Sequence, residues 1–141
     1  MSPAPTFQEL KSVAELRMAL RRFLLATDEV TKRHGLTPRQ YDLLALLHSA
    51  LPNEELTATV IAEQLGLSRS ATTELLTRAS KGGLLDRHGA EDDTRVKYVT
   101  PTREGRKRFF AAVEDLRSER NKILRLLRAA TALAALLGAA I

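Results

Sequence analysis

A chain of 141 residues with 44% apolar content carries enough hydrophobic material for one folded core and fits a single domain, 1–141. Its 22 Lys and Arg against 17 Asp and Glu leave a formal charge of +5, which favours polyanionic partners without dictating one. The lack of cysteine excludes disulfide frameworks, thiolate metal sites and thiol redox switching, and is compatible with a reducing cytosol.

Met1 to Lys11 lacks the basic start and apolar run of a secretory signal, so a cytoplasmic protein is expected. Thr6 and Glu9 have capping-box spacing. The stretch after them places Leu10, Val13, Leu20, Phe23, Leu24, Thr27 and Val30 on one stripe of a first helix, which Gly35 stops near His34. Thr37, Pro38 and Gln40 then supply an N-cap, a first-turn proline and a capping-box partner. The second helix they open carries Tyr41, Leu44, Ala45, Leu47 and His48 and ends at Pro52 and Asn53. A third, short helix is expected from about Ala58 to Leu65, closed by Gly66, and a fourth from its N-cap Ser68 to the pair Gly82 and Gly83.

Two short helices joined through Leu65-Gly66-Leu67-Ser68 make a helix-turn-helix. Val60, Ile61, Leu65, Ala71, Leu75, Leu76 and Ala79 face inward, leaving Arg69, Ser70, Thr73 and Thr77 on the outer face of the second helix. Standing alone, such a face is also what a plain helical hairpin shows to solvent. Leu84–His88 and Val96–Val99, however, each read as a short strand, with the polar turn-forming residues 89–95 between them. A hairpin directly after a helix-turn-helix is a wing, and its physical use is to carry a cation beyond the recognition helix. Arg95 is placed for that, where an arginine reaches a minor groove or its phosphates, the alternative being a surface ion pair with Asp93 or Asp92.

After the wing, helices are expected from Thr102 through Leu127 and from Ala129 to Ile141. Phe109, Phe110, Val113, Leu116, Ile123, Leu124, Leu126 and Leu127 are more apolar groups than a lone exposed helix carries, which points to a partner subunit. The uncharged tail from Ala129 is shorter than the roughly 20 residues that cross a bilayer, and lengthening it takes in Arg128 and Arg125, so no membrane partner is expected. His34, His48 and His88 lie in different elements without metal-ligand spacing, and no phosphate loop or nucleophile motif is found. An enzyme, a metal and a cofactor are therefore not expected.

These residues resemble the MarR family of winged-helix regulators from about Leu36 to Gly105. The most specific stretches are LTATVIAEQLGLSRSATTELLTRASKGGLLDR, from Leu56 to Arg87, and DTRVKYVTPT, from Asp93 to Thr102. The resemblance implies a mainly α fold with a small β-hairpin wing: a DNA-binding lobe over 36–101, and a dimerisation region built from 6–34 and 102–141. It implies a homodimer presenting two recognition helices to a pseudo-palindromic operator in double-stranded DNA. The DNA-binding set is then Ser68, Arg69, Ser70, Thr73, Thr77, Arg78, Arg87, Thr94, Arg95 and Lys97, with Asp93 bracing the wing. The resemblance also implies a small amphipathic or aromatic-acid effector in a crevice between the dimer helices and the DNA-binding lobe, which Arg21, His34, Tyr41 and His48 are candidates to line.

Three positions depart from the family pattern. Thr72 stands at an aliphatic packing site, Pro101 replaces an apolar residue before the helix-starting Thr102, and Glu74 stands where a neutral or basic residue is expected near phosphate. Glu74 either accepts from a cytosine amino group or pairs with Arg78 one turn on, the second being the ordinary helical arrangement. Two competing classes follow. One is a protein-interaction module whose winged helix docks an acidic protein, supported by Glu74 and by Glu91, Asp92 and Asp93 in the wing loop; the other is a nucleic-acid chaperone without sequence preference.

Overall fold

The computed structural model describes residues 4–52, 54, 56–89 and 97–138, the side chains of residues 97, 133, 134 and 136–138 excepted. The elements run in the order α1 (Phe7–Arg33), α2 (Pro38–Ser49), α3 (Ala58–Leu65), α4 (Arg69–Lys81), β1 (Leu85–Gly89), β2 (Lys97–Pro101), α5 (Arg103–Asp115) and α6 (Arg117–Gly138). The chain divides into two units, one of Met1–Glu29 with Asp115–Ile141 and the other of Val30–Glu114.

In the second unit, each helix start is fixed by a side chain that satisfies an orphan backbone donor. Thr37 and Gln40 close a reciprocal capping box, with the Thr37 N–H donating to Gln40 Oε1 at 3.0 Å and the Gln40 N–H to Thr37 Oγ1 at 3.2 Å. Thr57 and Ser68 cap α3 and α4 without the reciprocal bond, their hydroxyl oxygens accepting from the Val60 N–H at 3.4 Å and the Ala71 N–H at 3.1 Å. The ends of α3 and α4 turn through left-handed glycines, Gly66 at φ 63° and Gly83 at φ 71°. At the end of α4 the Leu84 N–H donates back to the Ala79 carbonyl at 2.9 Å, a Schellman closure that keeps Leu84 with the helix. The first strand accordingly starts at Leu85 rather than the expected Leu84.

β1 and β2 pair antiparallel from Leu85↔Pro101 to Gly89↔Lys97, so the second strand ends at Pro101 rather than Val99. The inner side of β2 also binds the entry to α3: Val99 N–H donates to the Leu56 carbonyl, and Thr57 bridges Tyr98. Leu43, Leu44, Ile61, Leu76, Leu84 and Leu85 are fully buried and weld α2, α3, α4 and β1 into one core, each contributing about 1.5–3 kcal/mol by leaving water. Val60, Leu65 and Ala71, expected inside, are half-buried around it. Thr72 is buried at the aliphatic packing position and donates its hydroxyl to the Ser68 carbonyl at 2.9 Å, so that the polar atom is satisfied within its own helix.

Two helix ends differ from the sequence-based expectation. α2 stops at Ser49, with Ala50 already extended, before Pro52 is reached. The C-terminal break falls at Leu116 rather than Arg128: the Leu116 side chain is 2% exposed and its carbonyl accepts from the Arg120 N–H, opening α6. Beyond it the Ala- and Leu-rich segment continues as helix because nothing in it breaks one. In the first unit Thr6 and Glu9 form the expected box, with the Thr6 N–H donating to Glu9 Oε2 at 2.6 Å. There α1 and α6 leave many apolar side chains exposed, among them Leu10, Val13, Leu24, Leu124, Leu126 and Leu127. No described helix is long and apolar enough to cross a membrane.

Candidate nucleic-acid interface

The outer face of α4 is assembled by its own periodicity. Leu75, Leu76 and Ala79 are buried, and the opposite side presents Arg69, Ser70, Thr73, Glu74 and Arg78 to solvent, with Thr77 half-buried at its margin. Ser68 is exposed but serves first as the N-cap, its Oγ accepting from the Ala71 N–H at 3.1 Å. Arg69 and Ser70 occupy the first turn, where the positive end of the helix dipole adds to the attraction for phosphate. The Arg69 guanidinium has no ion-pair partner among the described residues. Thr73 donates its hydroxyl to the Arg69 carbonyl at 3.0 Å, so it offers an incoming base a methyl group and an acceptor oxygen rather than a donor.

Arg78 is ion-paired with Glu74, both side chains well exposed. The pair flanks an open cleft of about 400 Å³ between α4 and the start of α2, whose far wall includes Thr37, Pro38 and Arg39. Arg39 was not among the expected contacts. Its nearness to α4 follows from how α2 packs, which the chain-local signals of caps and periodicity do not report.

On the wing, Arg87 and His88 are exposed on β1. His88 Nε2 lies 2.7 Å from Thr100 Oγ1, a cross-strand contact that holds the ring against the hairpin. Lys97 starts β2 opposite Gly89. Asp93, Thr94 and Arg95 lie outside the described residues.

The residues considered for an effector divide between the two units. Arg21 is exposed on α1 in the first unit. His34, Tyr41 and His48 belong to the second, where Tyr41 and His48 meet at the Phe109 ring: Tyr41 at 5.2 Å between centroids, His48 stacked on it at 5.1 Å and 6°. Phe110 tilts against His48 at 5.1 Å, with the Arg106 guanidinium over the Phe110 ring at 5.9 Å from its centroid. His48 Nε2 is buried without a hydrogen-bond partner among the described residues. Burial, and then the charge of Arg106, holds the His48 imidazole below the usual histidine range. Among the described residues no group of His, Asp and Glu is arranged to hold a metal ion.

Residues 34–96 match the model of the MarR family. The chain is similar to AbsC, a MarR family transcriptional regulator from Streptomyces coelicolor, at 18% identity, covering 96% of this chain and 98% of that one with a TM-score of 0.73. It is also similar to a MepR variant from S. aureus bound to an oligodeoxyribonucleotide, at 19% identity, 98% and 100% coverage and a TM-score of 0.67. CouR from Rhodococcus jostii, bound to p-coumaroyl-CoA, is similar at 22% identity, 82% and 85% coverage and a TM-score of 0.65. No curated protein matches by sequence.

Proposed function

We propose that this chain, a MarR family winged-helix protein, is a sequence-specific regulator of transcription that binds double-stranded DNA as a homodimer on a pseudo-palindromic operator. The observation that carries the reading is the outer face of α4, small, polar and cationic at its first turn, on a helix held rigidly by caps at both ends. Such a helix enters a major groove about 12 Å wide, with Arg69, Ser70, Thr73, Thr77 and Arg78 at the base edges and backbone. Arg87, Thr94, Arg95 and Lys97 of the wing reach the flanking phosphates, with Asp93 as their brace. Relatives of this fold support the reading, since a MepR variant is bound to an oligodeoxyribonucleotide.

Homodimerisation is supported by the exposed apolar faces of α1 and α6, which a single chain leaves in water. Two copies would set two recognition helices about one DNA turn, roughly 34 Å, apart and multiply the discrimination of each. Repression relieved by an effector is the mode we favour. The unpartnered His48 Nε2, between aromatic rings, is a polar point for an amphipathic or aromatic-acid ligand, with His34 and Tyr41 in the same lobe. CouR, similar in fold and bound to p-coumaroyl-CoA, supports this reading. The effector shifts occupancy by the difference in its affinity for the DNA-bound and free conformations.

Fluorescence anisotropy tests the reading: the purified protein is titrated against duplex from its own upstream region and against a scrambled duplex at about 0.15 M salt. Tight binding to the first and weak binding to the second is expected. Equal weak binding to both, with no sequence enriched from a random pool, would move the reading to a protein-interaction module.

A further inference from the structure

We infer that Glu74, acting with Arg78, is the residue pair that makes the recognition helix select a C·G base pair in each half-site. The inference rests on the DNA-binding reading above and goes beyond it in naming the base pair and the side chains that read it.

The starting point is an electrostatic conflict. Glu74 lies in the middle of the exposed face of α4, with 61% of its side chain open to solvent, on the surface that also carries Arg69, Thr73 and Arg78. A carboxylate carried into the groove of a polyanion weakens every complex alike unless it gains a hydrogen bond there. The major groove offers a carboxylate few partners. Guanine and thymine present acceptors, O6 and N7 or O4, which repel it, and adenine sets its N7 acceptor beside its amino group. Cytosine presents the N4 amino group alone. Of the four bases, cytosine is therefore the one that Glu74 favours.

The guanine of the same pair then falls to Arg78. Its guanidinium is already held beside the Glu74 carboxylate by the i,i+4 ion pair and is itself 74% exposed. Arginine donates two parallel hydrogen bonds to guanine O6 and N7, the commonest specific contact in the major groove. An acceptor and a double donor held side by side thus match the edge that a C·G pair displays, N4 amino next to O6 and N7. The neighbouring hydroxyl does not compete for the acceptor edge, because the Thr73 hydroxyl hydrogen is spent on the Arg69 carbonyl. The ion pair also limits the general penalty of the carboxylate, since Arg78 neutralises it before and during approach.

The alternative is that Glu74 only braces α4 through Arg78, as an exposed pair of little weight. The two accounts differ in what a base sees. Full-length wild-type, Glu74→Ala, Glu74→Gln and Arg78→Ala proteins are each used to select duplexes from a random-core pool, with circular dichroism confirming that each is folded. The wild type is expected to fix a C·G pair at one position of each half-site, preferred about tenfold or more over the other pairs. Glu74→Ala reduces that preference to about twofold or less and leaves the other positions unchanged. Glu74→Gln moves it to adenine, whose N6 and N7 a carboxamide reads as a pair. Arg78→Ala relaxes the same position. If the wild type and both Glu74 variants enrich the same sequences, differing only in affinity for all duplexes alike, the inference is wrong while the DNA-binding reading stands. If the wild type enriches nothing over the starting pool, both fall together.

Discussion

The Cα of Gly105 lies against the backbone carbonyl of Leu84 so closely that a β-carbon at position 105 would overlap the oxygen. Around this contact Thr102 ties the start of α5 to the end of α4. Its N–H donates to the Leu84 carbonyl at 3.1 Å, and its hydroxyl donates to the Gly83 carbonyl at 2.6 Å while accepting from the Gly105 N–H at 3.0 Å. The end of α4 and the start of α5, which follows the β1–β2 hairpin, are thus joined backbone to backbone.

That junction reverses a usual sign. Glycine to alanine in a helix interior ordinarily stabilises by roughly 0.5–1 kcal/mol through backbone entropy. Gly105→Ala is expected to destabilise by about 1–3 kcal/mol, because the methyl can be placed only by moving α5 off the Leu84 carbonyl. Urea denaturation of the two proteins measures it. A variant as stable as the wild type, or more so, would mean that the two backbones are not held in this contact.

His48 supplies the pH dependence. Its imidazole is held below the usual histidine range by burial and by Arg106, with Phe109 and Phe110 against it. A depressed folded value means that the unfolded chain takes up the proton first. The stability His48 confers is fully present above its unfolded value, about 6.5, and is lost progressively as pH falls from there toward the folded value. Thermal melts between about pH 8 and 5 should show the wild type losing more stability on acidification than His48→Phe. Parallel pH profiles for the two would remove His48 as the titrating group.

Local chemistry makes much of this legible in the sequence. The caps at Thr37 and Ser68 and the stop at Gly66 satisfy backbone groups within a few residues, so sequence spacing places α2 and α4 at their starts and α3 at its end, while the Thr57 cap of α3 is added by the structure. The break at Leu116 was illegible because no cap, glycine or proline marks it; the helix turns where one leucine is buried by tertiary packing. Arg39 was missed for a related reason, since its nearness to α4 arises from packing between helices distant in sequence. The Glu74–Arg78 pair was legible, being an i,i+4 relation inside a single helix. The orphaned His48 Nε2 was not, because its surroundings come from α5, far along the chain.

The exposed leucines of the first unit lead to a prediction about assembly. Leu10 and Leu24 on α1 are 55% and 58% exposed in the single chain. If a second copy covers them, analytical ultracentrifugation of the wild type gives twice the 15.6 kDa chain mass. The Leu10→Glu, Leu24→Glu double variant then sediments as a monomer, because two carboxylates cannot be buried in an apolar interface without several kcal/mol of cost. Its circular dichroism should keep the helical signal of the second unit, whose core does not include either leucine. A wild type that is monomeric at micromolar concentration would remove the homodimer from the proposed mechanism.

The last prediction separates positioning on DNA from reading of its sequence. Arg39 stands at the start of α2, across the cleft from Arg78, on a helix that does not itself present a recognition face. If α4 enters a major groove as proposed, a cation so placed meets the phosphate backbone beside that groove, and phosphate contacts carry no base information. Arg39→Ala should therefore weaken binding to operator and scrambled duplexes by the same factor and reduce the slope of log K against log salt by about one. Arg69→Ala, by contrast, removes a cation from the first turn of the recognition helix and should lower the ratio of operator to scrambled affinity as well. Anisotropy titrations at three salt concentrations with both duplexes resolve the two effects. A loss of preference in Arg39→Ala would place the start of α2 at the base edges, and an equal loss on both duplexes in Arg69→Ala would reassign that arginine to phosphate.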